Sequence, residues 1–122
     1  MHRKCGKHSE KIGKLAEKIC AMRLRELGII AEKIEPARTR DGKYLRQCSG
    51  DFWGVLPPTG RSVLVEVKYR RRPLRMSDFR PHQIAALRMH ADAGGLSLIF
   101  HFDGRDGKFF EFSEIEEKEK QK

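Results

Sequence analysis

Asp51, Glu66 and Lys68 belong to the stretch DFWGVLPPTGRSVLVEVKY, residues 51–69, which otherwise has the Val- and Leu-rich character of a core strand. An ionisable pair in a core is costly unless partners or a metal match it. The face carrying Glu66 and Lys68 is therefore either wet or a site. If Phe52–Leu56 and Ser62–Tyr69 pair as a hairpin centred on Pro58 and Thr59, residues whose numbers sum to 117 face each other, and Asp51 falls opposite Glu66. Opposed residues hold their Cβ atoms about 4.5–5.5 Å apart. The two-residue period sends Glu66 and Lys68 to one face and Val63, Val65, Val67 and Tyr69 to the other.

Two carboxylates at that separation repel, and a divalent cation relieves the repulsion. Oxygen ligands without His or Cys favour Mg2+, with Mn2+ as a substitute. Mg2+ takes one or two protein carboxylates and completes its shell with water and substrate phosphate. Asp51 and Glu66 are then metal ligands, with the Val67 carbonyl as a further one. Lys68 orients the nucleophile or offsets developing charge, which is the chemistry of phosphodiester cleavage. The competing reading is a solvated hairpin face, because an isolated D…ExK pattern is common by chance.

The elements that must position these groups follow from periodicity. Ile12, Leu15, Ala16, Ile19, Met22 and Leu27 recur at helical spacing between a Ser9 N-cap and a Gly28 stop. Glu17 sits at the rim of that apolar arc, either as a third carboxylate of the site or as the partner of a nearby lysine. Residues 28–35 read as a strand, residues 36–50 as a basic loop and residues 70–79 as a polar loop. A helix starts at Pro81 and runs to about Ala93, before Gly94-Gly95. Leu96–Phe102 is an apolar strand, Lys108–Phe112 returns, and EIEEKEKQK reads as a solvated tail. The order αβββαββ gives an α/β fold, a mixed sheet flanked by helices. Residues 1–112 form one domain, and residues 113–122 a charged, flexible tail.

At 122 residues the chain fits a single domain, and no apolar run approaches the roughly 20 residues of a membrane helix. The basic residues 1–8 precede no apolar segment, so the expectation is a soluble cytoplasmic protein without a secretory signal or membrane partner. Cys5, Cys20 and Cys48 show no disulfide framework and read as thiols. Cys5-x-x-His8 is half of a zinc spacing, with Cys48 and the other histidines available as partners, and the complete pattern is absent. His82, His90 and His101 accompany no Ser or Cys nucleophile pattern, and His101 reads as structural. Phe52 and Trp53 are either core or base-stacking aromatics.

With 26 Lys+Arg against 17 Asp+Glu, the net charge is +9, which should attract a polyanion. The cations cluster on both sides of the acidic pair. Arg38, Arg40, Lys43 and Arg46 precede it, and Arg70, Arg71, Arg72, Arg75 and Arg80 follow it. Arg38, Arg40, Lys43, Arg70, Arg71, Arg72, Arg75 and Arg80 are the candidate nucleic-acid contacts. A merely basic surface is the plainer alternative.

An ordered set of motifs now stands on the chain: Gly13-x-x-x-Glu17, Asp51-Phe52-Trp53-Gly54-Val55, Val65-Glu66-Val67-Lys68, then Pro81-His82-Gln83-Ile84-x-x-Leu87, Gly94-Gly95 and an apolar strand. This set resembles the PD-(D/E)XK nuclease superfamily, with Gly50 in place of the motif proline. From about Gly13 to Phe102 it looks like the RecU-like Holliday junction resolvases and, more loosely, the archaeal resolvases. The resemblance implies a restriction-endonuclease-like core and a compact, phage-type homodimer. Its activity would be Mg2+-dependent cutting of branched or other double-stranded DNA during recombination and repair. It also implies that Asp51 and Glu66 bind metal, that Lys68 is the catalytic lysine, that Glu17 supports the metal, and that Gln83 lies at the active site, where a helix N-terminus favours phosphate. A flap or mismatch nuclease of the same superfamily and a non-cutting basic binding module are the alternatives.

Overall fold

The computed structural model describes residues 2–35, 40–41 and 50–121, with side chains from residue 11 onward. Helix α1 spans His2–Glu26. It passes through Ser9 without a cap there, because residues 2–8 contain no proline and Gly6 costs a helix only about 1 kcal/mol relative to alanine. Ala16, Cys20 and Leu24 recur every fourth residue and are buried against the sheet. The helix ends as expected at Gly28, whose φ of +79° closes a left-handed turn while Ile29 N–H reaches back to the Leu24 carbonyl at 2.9 Å.

Five strands follow: β1 (Ile30–Lys33), β2 (Phe52–Leu56), β3 (Arg61–Tyr69), β4 (Leu96–Phe102) and β5 (Gly107–Glu111). They lie in sequence order, and all neighbours are antiparallel except β3 and β4. That parallel pair needs a crossover, which helix α2 (Pro81–Asp92) supplies. The β2–β3 register pairs Phe52 with Val65 and Trp53 with Leu64, so the paired numbers do sum to 117. Strand β1 is shorter than the expected 28–35.

Helices cover both faces of the sheet. On one, α1 packs over Val63, Val65, Leu98 and Phe100. On the other, Phe79 and Leu87 pack with Ile99, Leu64, Phe112 and Ile115. The face that carries Glu66 and Lys68 is thus roofed by α2 and the loop before it. His90 ties the far end of α2 to the sheet, with Nε2 at 2.9 Å from Ser62 Oγ and Nδ1 at 3.1 Å from Ser97 Oγ.

The C-terminal segment differs from the expected tail. Residues Phe112–Lys120 form helix α3, with Phe112 and Ile115 buried. Two apolar residues three apart anchor an otherwise charged sequence. Glu116 accepts two hydrogen bonds from Arg88, at 2.9 and 2.7 Å, and Glu119 accepts one from Met76 N–H at 3.0 Å. The charges that read as solvation are partly partners of residues distant in sequence.

Candidate active site

Asp51 is fixed by its backbone before its side chain acts. Gly50 adopts φ +88°, which brings the chain into β2 at an angle that a side chain there would strain. The Asp51 N–H donates to the Val65 carbonyl at 2.8 Å, and the Asp51 carbonyl accepts from Ile34 N–H at 2.9 Å. Its Oδ2 accepts the Val67 N–H at 2.7 Å. The carboxyl therefore projects across the open end of the hairpin, where it shares a hydrogen bond with Glu66.

Gln83, in the first turn of α2, joins the remaining groups. Its Nε2 donates to Glu66 Oε1 at 2.8 Å, and its Oε1 accepts Lys68 Nζ at 3.0 Å and Arg80 N–H at 2.9 Å. Both ends of the amide are thereby assigned. Lys68 Nζ also sits 5.2 Å from the centre of the Phe79 ring. The result is a continuous row: Asp51, Glu66, Gln83, Lys68.

The row is electrostatically loaded. Glu66 is 5% exposed, and burial, followed by the adjacent Asp51 charge, pushes its carboxyl up to about 8. Burial also raises Asp51, although the Val67 N–H opposes the shift. Burial lowers Lys68, and the Arg70 charge adds to this while Glu66 works against it. Near neutral pH the two carboxyl groups share a proton, and a cation between them would take that proton's place.

Glu17 is not drawn into the pair. Its carboxylate meets Lys33 Nζ at 3.0 Å, the rim pairing weighed for it, and it acts on Asp51 and Glu66 only through its charge. Beneath the site lies Cys20, whose thiol burial and the charges of Asp51 and Glu17 push up to about 12. It is an inert filler, a free thiol as the sequence reading had it. Among the described residues no group of three His, Cys, Asp or Glu side chains is arranged to hold a metal ion. Cys48 and the side chains of Cys5 and His8 lie outside the described residues.

The basic residues divide sharply. Arg38, Lys43 and Arg46 lie outside the described residues, and Arg40 is exposed. Arg71, Arg75 and Arg80 are exposed around the loop that enters α2. Arg70 and Arg72 are instead bound to a buried carboxylate, Asp78, that the sequence reading passed over. The one signal for it was a lone acid in an arginine-rich loop. His101 is structural, its Nε2 lying 2.8 Å from the Arg70 carbonyl. Phe52 is core, whereas Trp53 is 50% exposed two residues from Asp51. A cavity of about 410 Å3 behind the loop, lined by Arg71, His101, Lys108, Phe110 and Lys118 among others, contains none of the four residues of the row.

No protein-family model matches the chain, and no curated protein matches it. Among solved structures it is similar to Hjc of Archaeoglobus fulgidus, a Holliday junction resolvase from an archaeal hyperthermophile. The match covers 81% of this chain and 76% of that chain at 16% identity, with a TM-score of 0.56. The shared fold is the restriction-endonuclease-like α/β core. No helix among the described residues is long and apolar enough to cross a membrane.

Proposed function

We propose that this chain is a divalent-metal-dependent DNA endonuclease that hydrolyses phosphodiester bonds in branched DNA, a Holliday junction resolvase acting in the cytoplasm in recombination and repair. The observation that carries the reading is the row Asp51–Glu66–Gln83–Lys68. A buried carboxyl group in contact with a half-buried one serves no binding surface for a polyanion, and a basic protein would gain DNA affinity without them. The shared fold and the similarity to an archaeal resolvase support the same reading.

The donor set fits Mg2+, with Mn2+ as a substitute: two carboxylates, the Val67 carbonyl, and oxygens from water and phosphate. Bound there, the cation would supply Lewis acidity at the scissile phosphate and lower the pKa of water. The chain's own residues do the rest. Val67 N–H and Gln83 Nε2 each hold one carboxylate oxygen, at 2.7 and 2.8 Å, which fixes the orientation of both ligands. Gln83 Oε1 holds the Lys68 ammonium beside them, where it can orient the attacking water or stabilise charge developing on the phosphate. The first turn of α2 adds a positive dipole end on the same side. Glu17 sets the local field. Two such chains in a homodimer would place one site at each of two strands.

The test is cleavage of a labelled synthetic four-way junction, with linear duplex and a flap as controls, comparing Mg2+ with EDTA and the native chain with Asp51→Asn. Paired cuts confined to the junction that need both metal and Asp51 are expected. Cuts in flaps or duplex instead would keep the nuclease and discard the resolvase. Binding without any cut would leave only a binding module.

A further inference from the structure

Residues 70–80 carry five of the arginines that sequence marks for DNA contact, and the fold puts them to two different uses. Asp78 has a side chain only 4% exposed. Arg72 binds it in a fork, NH1 to Oδ2 at 2.9 Å and NH2 to Oδ1 at 2.7 Å. Arg70 Nε adds a bond to Oδ1 at 3.2 Å, and the Arg75 backbone N–H one to Oδ2 at 2.8 Å. Four donors on one buried carboxylate form a charge-assisted knot. The ends of the segment are tied as well, at Arg70 N–H to the Phe102 carbonyl at 3.1 Å and at Met76 N–H to Glu119 Oε1 at 3.0 Å. Arg71 and Arg75 are exposed between these ties, Arg71 with its Nε 3.4 Å from the Tyr69 hydroxyl, and Arg80 is exposed after them, next in sequence to Phe79, whose ring contacts Lys68.

We propose that Asp78 is a positioning residue for DNA binding: it ties the half-exposed Arg70 and Arg72 as struts, so that Arg71, Arg75 and Arg80 form a preorganised phosphate-contacting surface leading into the candidate active site. This rests on the DNA-binding reading above and goes beyond it by separating strut from contact. A segment ordered before binding does not pay its ordering entropy on the DNA. The inference runs against simple charge counting. Removing a carboxylate from a face that meets a polyanion should tighten binding, whereas loss of the knot weakens it.

The experiment measures binding of a fluorescein-labelled four-way junction and a linear duplex in EDTA, across a series of salt concentrations. Each phosphate contact contributes about 0.9 to the slope of log K against log salt. Asp78→Asn should weaken binding about tenfold, equivalent to ordering one loop residue on the DNA, and flatten the slope by at least one contact. Arg71→Gln and Arg75→Gln should each flatten the slope by about 0.9, whereas Arg72→Gln, which removes two of the four donors on Asp78, should weaken binding as Asp78→Asn does and add little to it in the double variant. Equal or tighter binding by Asp78→Asn with the native slope would overturn the proposal. So would an Arg72→Gln variant that binds as the native chain does, or one whose effect adds in full to that of Asp78→Asn. A circular-dichroism melt checks the Asp78→Asn fold, and if that variant unfolds, the arginine comparison decides alone. Failure of the native chain to bind either DNA would remove the DNA-binding reading itself, and the proposal with it.

Discussion

Replacing Glu66 by glutamine should make the metal-free protein more stable while removing its activity. The folded chain raises the Glu66 carboxyl from an ordinary 4.5 to about 8. It therefore binds the proton more tightly than the unfolded chain does. Stability from this group is complete below the unfolded value and is lost as pH rises toward about 8. At pH 7 the lost part is at most about 3 kcal/mol, from roughly 2.5 pH units at 1.36 kcal/mol each. Sharing of the proton with Asp51 reduces this to about 1–3 kcal/mol. The glutamine amide supplies permanently the hydrogen that Glu66 must otherwise bind, and its oxygen still accepts from Gln83 Nε2. At about 3–5 °C per kcal/mol for a domain of this size, Tm should rise by roughly 3–15 °C at pH 7 to 8. The assay is a set of thermal melts in EDTA across pH 5 to 8. The native Tm should fall over that range and the variant's should stay level. Added Mg2+ should raise the native Tm at the upper end and leave the variant unmoved. A Glu66→Gln protein less stable than native at pH 7.5 in EDTA, or a native Tm that does not decline, would refute the proton-sharing pair.

Four further outcomes follow from the structure. Lys68→Met preserves the side-chain length against Phe79 but removes the charge, so single-turnover cleavage should fall about 10^2- to 10^4-fold with junction binding retained. Gln83→Ala should cost less, on the order of tenfold to a hundredfold, because it releases Lys68 and Glu66 without removing either. Phe112→Ala should cost about 3–5 kcal/mol in urea unfolding, where a residue in a solvated tail would cost under about 0.5 kcal/mol. Gly54→Ala should cost about 1–3 kcal/mol, seen as faster amide exchange in β1, because the added Cβ would lie 2.1 Å from the Ile30 carbonyl oxygen, a backbone atom that cannot rotate away.

The strands and central helices were legible because their signals are local. Period-two alternation around a four-residue turn gave the hairpin register, and with it the meeting of Asp51 and Glu66, since a strand pair has few degrees of freedom once its turn is known. Pro81 and the Gly94-Gly95 pair bracketed α2 for equally local reasons. Helix α3 was not legible. Its apolar content is two residues, and its Glu side chains become anchors only against Arg88 and the Met76 backbone, which are remote in sequence.

For the site, sequence alone determined which groups are present and that two carboxyl groups and a lysine share one strand-pair face. Tertiary structure decided that this face is covered rather than wet, and that Gln83 bridges Glu66 and Lys68. It decided also that Glu17 answers to Lys33, and that of five neighbouring arginines two are struts for Asp78. The physical reason is that type and spacing fix what a side chain can do, whereas burial and the partners brought by distant elements fix its charge state and whether it remains available to a ligand.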